Sequence, residues 1–173
     1  MRQSRPITFL ATAAAIPLSA LSLGACGGGS ATAAAPLPNN NGQVATVGTG
    51  QTGLGTILID RQGRTLYLFK ADSGGQSACS GACALAWPPL LTPGDPTAGS
   101  GAKASLLGTI TRPGGRKQVT YNGHPLYLFV KDHHPGDTLG QGVTAFGAPW
   151  YALTPSGDQV SGQSPTSGYG GGY

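Results

Sequence analysis

Leu66-Tyr67-Leu68-Phe69-Lys70-Ala71-Asp72 returns as Leu126-Tyr127-Leu128-Phe129-Val130-Lys131-Asp132, 60 residues further on. A shorter pair, Leu54-Gly55-Thr56-Ile57 and Leu107-Gly108-Thr109-Ile110, is spaced by 53. The two spacings define two related units, the second with 7 extra residues between its pieces. Two units are too few for a solenoid, which needs three or more repeats to bury its core. The expectation is one domain with internal pseudo-symmetry and one shared core. Side chains alternate along a strand, so Tyr67 and Phe69 share one face while Leu66 and Leu68 share the other. Both faces are apolar, which predicts a ribbon covered on both sides.

Outward from the ribbon, Thr56 to Asp60 is apolar and β-branched. Asp60-Arg61-Gln62-Gly63 has turn composition, and Arg64 to Lys70 reads as the returning strand. In unit two, Lys117 to Tyr121 and His124 to Val130 flank Asn122-Gly123. Asn-Gly suits a type I′ hairpin, because both residues tolerate positive φ. Pro113-Gly114-Gly115 adds a further turn, which gives unit two one more strand, Leu107 to Thr111. Ser80 to Leu85 suits a short helical turn stopped at Trp87-Pro88-Pro89. Gln141 to Leu153 reads as a closing strand. The predicted fold is mainly β: an antiparallel sheet, small sandwich or barrel-like domain from two tandem hairpin-based repeats (54–92 and 107–153), with one short helical turn. The folded body is placed at 54–155, a usual size for a domain with one modest core.

Met1-Arg2-Gln3-Ser4-Arg5 is basic and precedes an apolar run from Ile7 to Leu23. That pattern is a secretory signal over residues 1–25. Pro17 and the small residues at its end argue against a permanent span. Leu23-Gly24-Ala25-Cys26 looks like a lipobox, the site where a bacterial lipoprotein is cleaved and its cysteine acylated with palmitate-type chains. An ordinary cleaved signal with a stray cysteine is the alternative. Residues 26–53 begin Gly27-Gly28-Gly29-Ser30 and stay too poor in apolar side chains to offset the entropy of ordering. They read as a flexible, lipid-anchored tether, in which Val44 to Val47 could add an edge strand. Residues 156–173 read as a disordered Gly/Ser/Tyr tail.

The chain carries 10 Lys and Arg against 6 acidic residues, all aspartate. Loss of Arg2 and Arg5 with the signal leaves a nearly balanced chain without a basic cluster, so no nucleic-acid partner is expected. The expected partner is a membrane, reached through the lipid, at the extracytoplasmic face of the cell membrane. A monomer without cofactor is expected.

Setting Cys26 aside leaves Cys79 and Cys83, and an even pair in an exported protein is most often a disulfide. Residues four apart in a helix hold their Cβ atoms about 5–6 Å apart, whereas a disulfide needs about 3.8 Å. A bonded pair therefore requires Cys79 to precede the helical turn, with Gly81 allowing the bend. Two other readings stay open. A redox-active dithiol would lack both the two-residue spacing and an adjacent cation to lower a thiol pKa. A copper(I) site could combine Cys79 and Cys83 with His133, His134 or His124. Adjacent histidines on a strand point to opposite faces, so a solvated loop is the simpler reading of His133-His134 beside Asp132 and Asp137. Asp72 and Asp132 fall past strand ends, where a carboxylate accepts loop N–H bonds; ligand binding or catalysis is the alternative. No nucleophile elbow, phosphate loop, dinucleotide pattern or zinc-protease helix is present in the sequence. No catalytic residue is nominated, so an enzyme is not the favoured reading.

The repeated ribbons resemble the Tyr-x-(Phe/Trp/Tyr)-x-x-Asp motif of a bacterial secreted-repeat lipoprotein family. The motif residues here are Tyr67, Phe69 and Asp72, then Tyr127, Phe129 and Asp132. Cys79-Ser80-Gly81-Ala82-Cys83, Trp87-Pro88-Pro89-Leu90, Tyr121-Asn122-Gly123 and Pro135-Gly136-Asp137 are similar to that family too. The resemblance implies a lipid-anchored, tandem-repeat extracytoplasmic protein and no particular activity. The expected role is a non-enzymatic binding or scaffolding module of the cell envelope. The alternative is a redox or copper-handling module built on Cys79 and Cys83.

Overall fold

The computed structural model describes residues 42–161. The expected signal, Cys26, the tether up to residue 41 and the tail from residue 162 lie outside that range. In order, the elements are β1 (Thr46–Thr52), β2 (Gly55–Asp60), β3 (Tyr67–Phe69), α1 (Ala82–Ala86), β4 (Leu91–Thr92) and β5 (Thr97–Ala98). A single 3₁₀ turn (Ala104–Leu106) leads to β6 (Leu107–Thr111), β7 (Lys117–Tyr121), β8 (His124–Pro125), β9 (Thr144–Ala145) and β10 (Ala148–Ala152). They form three small sheets: β2-β1-β5, β3-β10-β9, and β4-β7-β6 with β8 paired to β7. Among the described residues only β1 and β5 pair in parallel. The fold is mainly β, as the repeat implies, and no sheet closes into a barrel among the described residues.

The two units superpose through their hydrogen bonds. Leu58 accepts from the N–H of Leu66, and Val119 accepts from the N–H of Leu126. Leu58 lies opposite Thr49, and Val119 lies opposite Thr109. The β1–β2 hairpin is therefore the counterpart of β6–β7, with Thr49 matching Thr109 at the same 60-residue spacing as the ribbons.

This corrects two expectations. Leu54–Ile57 spans the β1–β2 turn and the start of β2, whereas Leu107–Ile110 is β6, so the two tetrapeptides are not counterparts. Unit two has no additional strand either, because unit one holds its own in Thr46–Thr52, inside the stretch assigned to the tether. The sequence of β1, Thr-Val-Gly-Thr-Gly-Gln-Thr, has linker-like composition. It is ordered by backbone pairing on both edges, and only Val47 among its side chains is fully buried.

The ribbons meet at the pseudo-symmetry axis. The Tyr67 N–H donates to the Tyr127 carbonyl and the Tyr127 N–H to the Tyr67 carbonyl, each at 2.9 Å. This exchange shortens the expected strands Arg64–Lys70 and His124–Val130. Each ribbon leaves its hairpin partner at Leu66 or Leu126 and crosses to the other unit. The closing segment also divides: Gln141–Leu153 is a hairpin, β9–β10, not one strand. Its turn carries Phe146 at φ 55°, a left-handed conformation uncommon for a bulky residue. Order continues past the expected end at 155, since Val160 is buried and its N–H bonds the Ala152 carbonyl.

Both ribbon faces are covered, as parity predicts. Leu66, Leu68, Leu126 and Leu128 join Val47, Leu58, Leu90, Val119 and Leu153 in one core cluster. Tyr67, Phe69, Tyr127 and Phe129 join Ile57, Trp87 and Trp150 in a second. Each fully buried leucine stabilises by about 1.5–3 kcal/mol relative to exposure.

Candidate functional site

The second cluster is where the motif residues converge. Tyr67 and Asp72 stand five residues apart with the strand ended between them, so they cannot meet within one ribbon. Each tyrosine instead reaches the aspartate of the other repeat. The Tyr67 hydroxyl donates to Asp132 Oδ2 at 2.6 Å, and the Tyr127 hydroxyl to Asp72 Oδ2 at 2.8 Å. The second oxygen of each carboxylate closes its own loop. Asp72 Oδ1 accepts the Ala78 N–H at 2.8 Å, and Asp132 Oδ1 accepts the Leu139 N–H at 3.0 Å. The aspartates do hold loops, six and seven residues ahead, and also lock the repeats together. The tight Asx-type turn forms at Asp60, whose Oδ1 accepts the Gln62 N–H at 2.9 Å.

Behind these pairs stands a column of four rings. Phe129 stacks on Trp87 at 4.1 Å, Trp87 on Trp150 at 4.0 Å, and Trp150 on Phe69 at 4.0 Å. Tyr67 meets Trp87 edge-on at 81°, and Tyr127 meets Trp150 edge-on at 87°. Offset stacks and T-shaped contacts are the favourable aromatic arrangements. The column obeys the pseudo-symmetry, because each phenylalanine stacks on the tryptophan of the other repeat. Gly140 marks how tight it is: a Cβ there would lie 2.8 Å from the Tyr67 ring and 2.9 Å from the Trp87 ring.

Burial sets the protonation of the pairs. It pushes Asp132 up to about 6, against the opposing pull of the Tyr67 hydrogen bond. It also raises Asp72, opposed mainly by the Ala78 N–H. Burial, then the charge of Asp132, raises Tyr67, and burial raises Tyr127, so both phenols stay protonated donors. The half in which Asp72 lies contains a buried cation that sequence reasoning missed. Arg112 donates to Ser77 Oγ at 2.7 Å, Gln118 Oε1 at 2.6 Å and the Cys79 carbonyl at 2.6 Å. Nothing in its Thr-Arg-Pro-Gly-Gly context signals burial.

Cys79 and Cys83 form a disulfide, with Cα atoms 5.3 Å apart. Cys79 precedes α1 by three residues, and Gly81 makes the bend at φ 53°, as helical geometry demands. Both sulfurs are engaged in that bond, so neither is a free thiolate. His133 and His134 turn their backbone N–H groups to Asp137 Oδ2 at 2.9 and 2.8 Å. Those bonds hold Asp137 below the usual carboxylate range. His124 lies elsewhere, with Asp72, Gly74 and Asn122, around a depression of about 160 Å³. No three His, Cys, Asp or Glu side chains converge as a metal site among the described residues, so the copper set proposed from sequence is not assembled there. No helix among them is long and apolar enough to cross a membrane.

A duplicated β unit, clasped by exchanged Tyr–Asp pairs over an aromatic column, defines this as a tandem-repeat domain. A family model described as a secreted repeat of unknown function matches residues 48–91 and 108–154, and the chain belongs to that family. Its two matches begin 60 residues apart, at β1 and β6, the counterparts assigned by hydrogen bonding. The family is one of secreted proteins, which suits an extracytoplasmic location and a disulfide. No curated protein and no solved structure matches the chain.

Proposed function

We propose that this chain is a lipid-anchored lipoprotein of the extracytoplasmic membrane face, acylated at Cys26, whose repeat domain is a non-enzymatic binding or scaffolding module. One observation carries the domain's role. The motif residues Tyr67, Asp72, Tyr127 and Asp132 spend their polar atoms on one another, on loop backbone and on the Ser77 hydroxyl, and their rings on the core. A motif used that way specifies a rigid body. The anchor reading is supported by the Leu23-Gly24-Ala25-Cys26 sequence and by membership of a secreted family.

Mass spectrometry of the protein extracted from its membrane tests the anchor. The expected mass begins at Cys26, carries acyl chains, and is lighter by two hydrogens for the Cys79–Cys83 bond. A chain that retains residues 1–25, or lacks acyl groups, overturns the location. The redox or copper alternative requires that bond to open. Thiol titration of the folded protein is expected to find no reactive Cys79 or Cys83. Two titrating thiols, or copper bound in a Cys79-dependent way, would reinstate the alternative.

A further inference from the structure

The pseudo-symmetry is broken at one sheet edge. In unit one the outer edge of β1 is occupied by the segment Thr97–Ser100. The Thr97 N–H donates to the Ala45 carbonyl and the Gly99 N–H to the Val47 carbonyl. The Thr49 N–H and hydroxyl both donate to the Ser100 carbonyl, at 2.9 and 3.1 Å. Contact is close enough that a Cβ on Gly99 would lie 3.3 Å from the Gly48 backbone. The occupant is therefore an extended run of small residues, Thr-Ala-Gly-Ser, laid parallel to β1.

In unit two the counterpart of β1 is β6, which ends its sheet. Val119, opposite Thr109, turns its N–H to the Leu90 carbonyl and its own carbonyl to the Leu126 N–H. Thr109 likewise directs its backbone pair away from β7, because the two residues of a non-hydrogen-bonded antiparallel pair point their N–H and C=O groups away from each other. Neither the Thr109 N–H nor its hydroxyl has a partner among the described residues. The donor pair that captures Ser100 in unit one is thus repeated, same residue type included, without its acceptor. Exposed edges are commonly blocked by lysine, proline or a bulge. Leu107-Gly108-Thr109-Ile110-Thr111 contains no charge and no proline.

The geometry points to the outer edge of β6 as a strand-acceptor site that takes an extended, small-residue polypeptide segment of the Thr-Ala-Gly-Ser kind from a partner protein, in parallel register. Main-chain hydrogen bonds give such strand addition its affinity, and side-chain fit gives it selectivity. Unit one supplies the template for the occupant. The parallel direction favours a separate segment over a second copy of β6, which would pair antiparallel about a two-fold axis. This assigns a surface to the binding module proposed above and rests on that reading for its use in the cell. Its test is independent of the lipid anchor.

The test is amide NMR and hydrogen exchange on the full chain made with Cys26→Ser. Without additive, the Thr109 amide is expected to exchange freely while that of Thr49 is protected. The probe is a synthetic peptide of residues 96–103, Pro-Thr-Ala-Gly-Ser-Gly-Ala-Lys. At millimolar concentration it is expected to shift Leu107, Thr109 and Thr111 and to slow Thr109 exchange at least tenfold. Thr109→Pro, which deletes the outward N–H at an edge position that tolerates proline, is expected to abolish the effect. Thr109→Val, which keeps the N–H and the fold, is expected to weaken it. A Thr109 amide already protected in dilute protein overturns the proposal. So do shifts that miss β6, and binding that survives both substitutions. Protection that grows with protein concentration alone assigns the edge to self-pairing, which overturns the occupant named here.

Discussion

Replacing Tyr67 by phenylalanine isolates the exchanged pairing. The ring stays against Trp87, so the change removes one hydroxyl from the core. That hydroxyl donates to Asp132 at 2.6 Å and accepts the Gly140 N–H at 3.2 Å. A hydrogen bond to a charged group is worth about 1.5–3 kcal/mol, and a buried donor left unpaired costs about 1 kcal/mol more. The expected loss is about 2–4 kcal/mol at pH 7, read by urea unfolding. Asp132→Asn is expected to cost less, because it also removes the desolvation of a buried carboxylate. In that background Tyr67→Phe should cost only about 1 kcal/mol, which leaves a coupling of about 1–3 kcal/mol in the double-mutant cycle. The same cycle between Tyr67 and Asp72, the aspartate of its own repeat, should give a coupling near zero. Coupling within a repeat, or none to Asp132, would refute the exchange and with it the role assigned to the motif.

Three further outcomes follow from the same geometry. Asp132 titrates near 6 in the folded protein, above its unfolded value of about 4. Its contribution is therefore present below pH 4 and lost as pH rises towards 6, by about 1–3 kcal/mol; Asp72 acts in the same direction, Asp137 in the opposite one. Asp132→Asn should remove that step from urea midpoints measured between pH 4 and pH 7, and an unchanged profile contradicts the assignment. Gly140→Ala drives a methyl into the Tyr67 and Trp87 rings and is expected to destabilise by about 1–3 kcal/mol, with a changed near-ultraviolet dichroism of the tryptophans; a neutral result means the column is looser than described. Cys79→Ser with Cys83→Ser opens a small loop and should cost about 2 kcal/mol on chain entropy, with the fold retained; complete unfolding would give the bond a larger role than closing that loop.

The duplicated Leu-Tyr-Leu-Phe ribbon determined a great deal unaided. Alternation put tyrosine and phenylalanine on one face and leucine on the other, and apolar character on both faces required cover on both. Helical spacing placed Cys79 ahead of α1, and Asn122-Gly123 marked its hairpin, because these depend on local backbone geometry. Of β1 (Thr46–Thr52) the reading offered only an edge strand at Val44 to Val47, because the order of the rest comes from two neighbouring strands, not from its own side chains. A matching tetrapeptide then offered a false register for the hairpins. Arg112 and the β6 edge, unpaired among the described residues, had no local signature, since burial and strand pairing belong to the assembled fold. The sequence put Asp72 and Asp132 past the strand ends, yet gave no sign that each would take the tyrosine of the other repeat. Only tertiary structure decided that each repeat completes the other, because hydrogen bonding between residues 65 apart in sequence depends on how two units close around one axis.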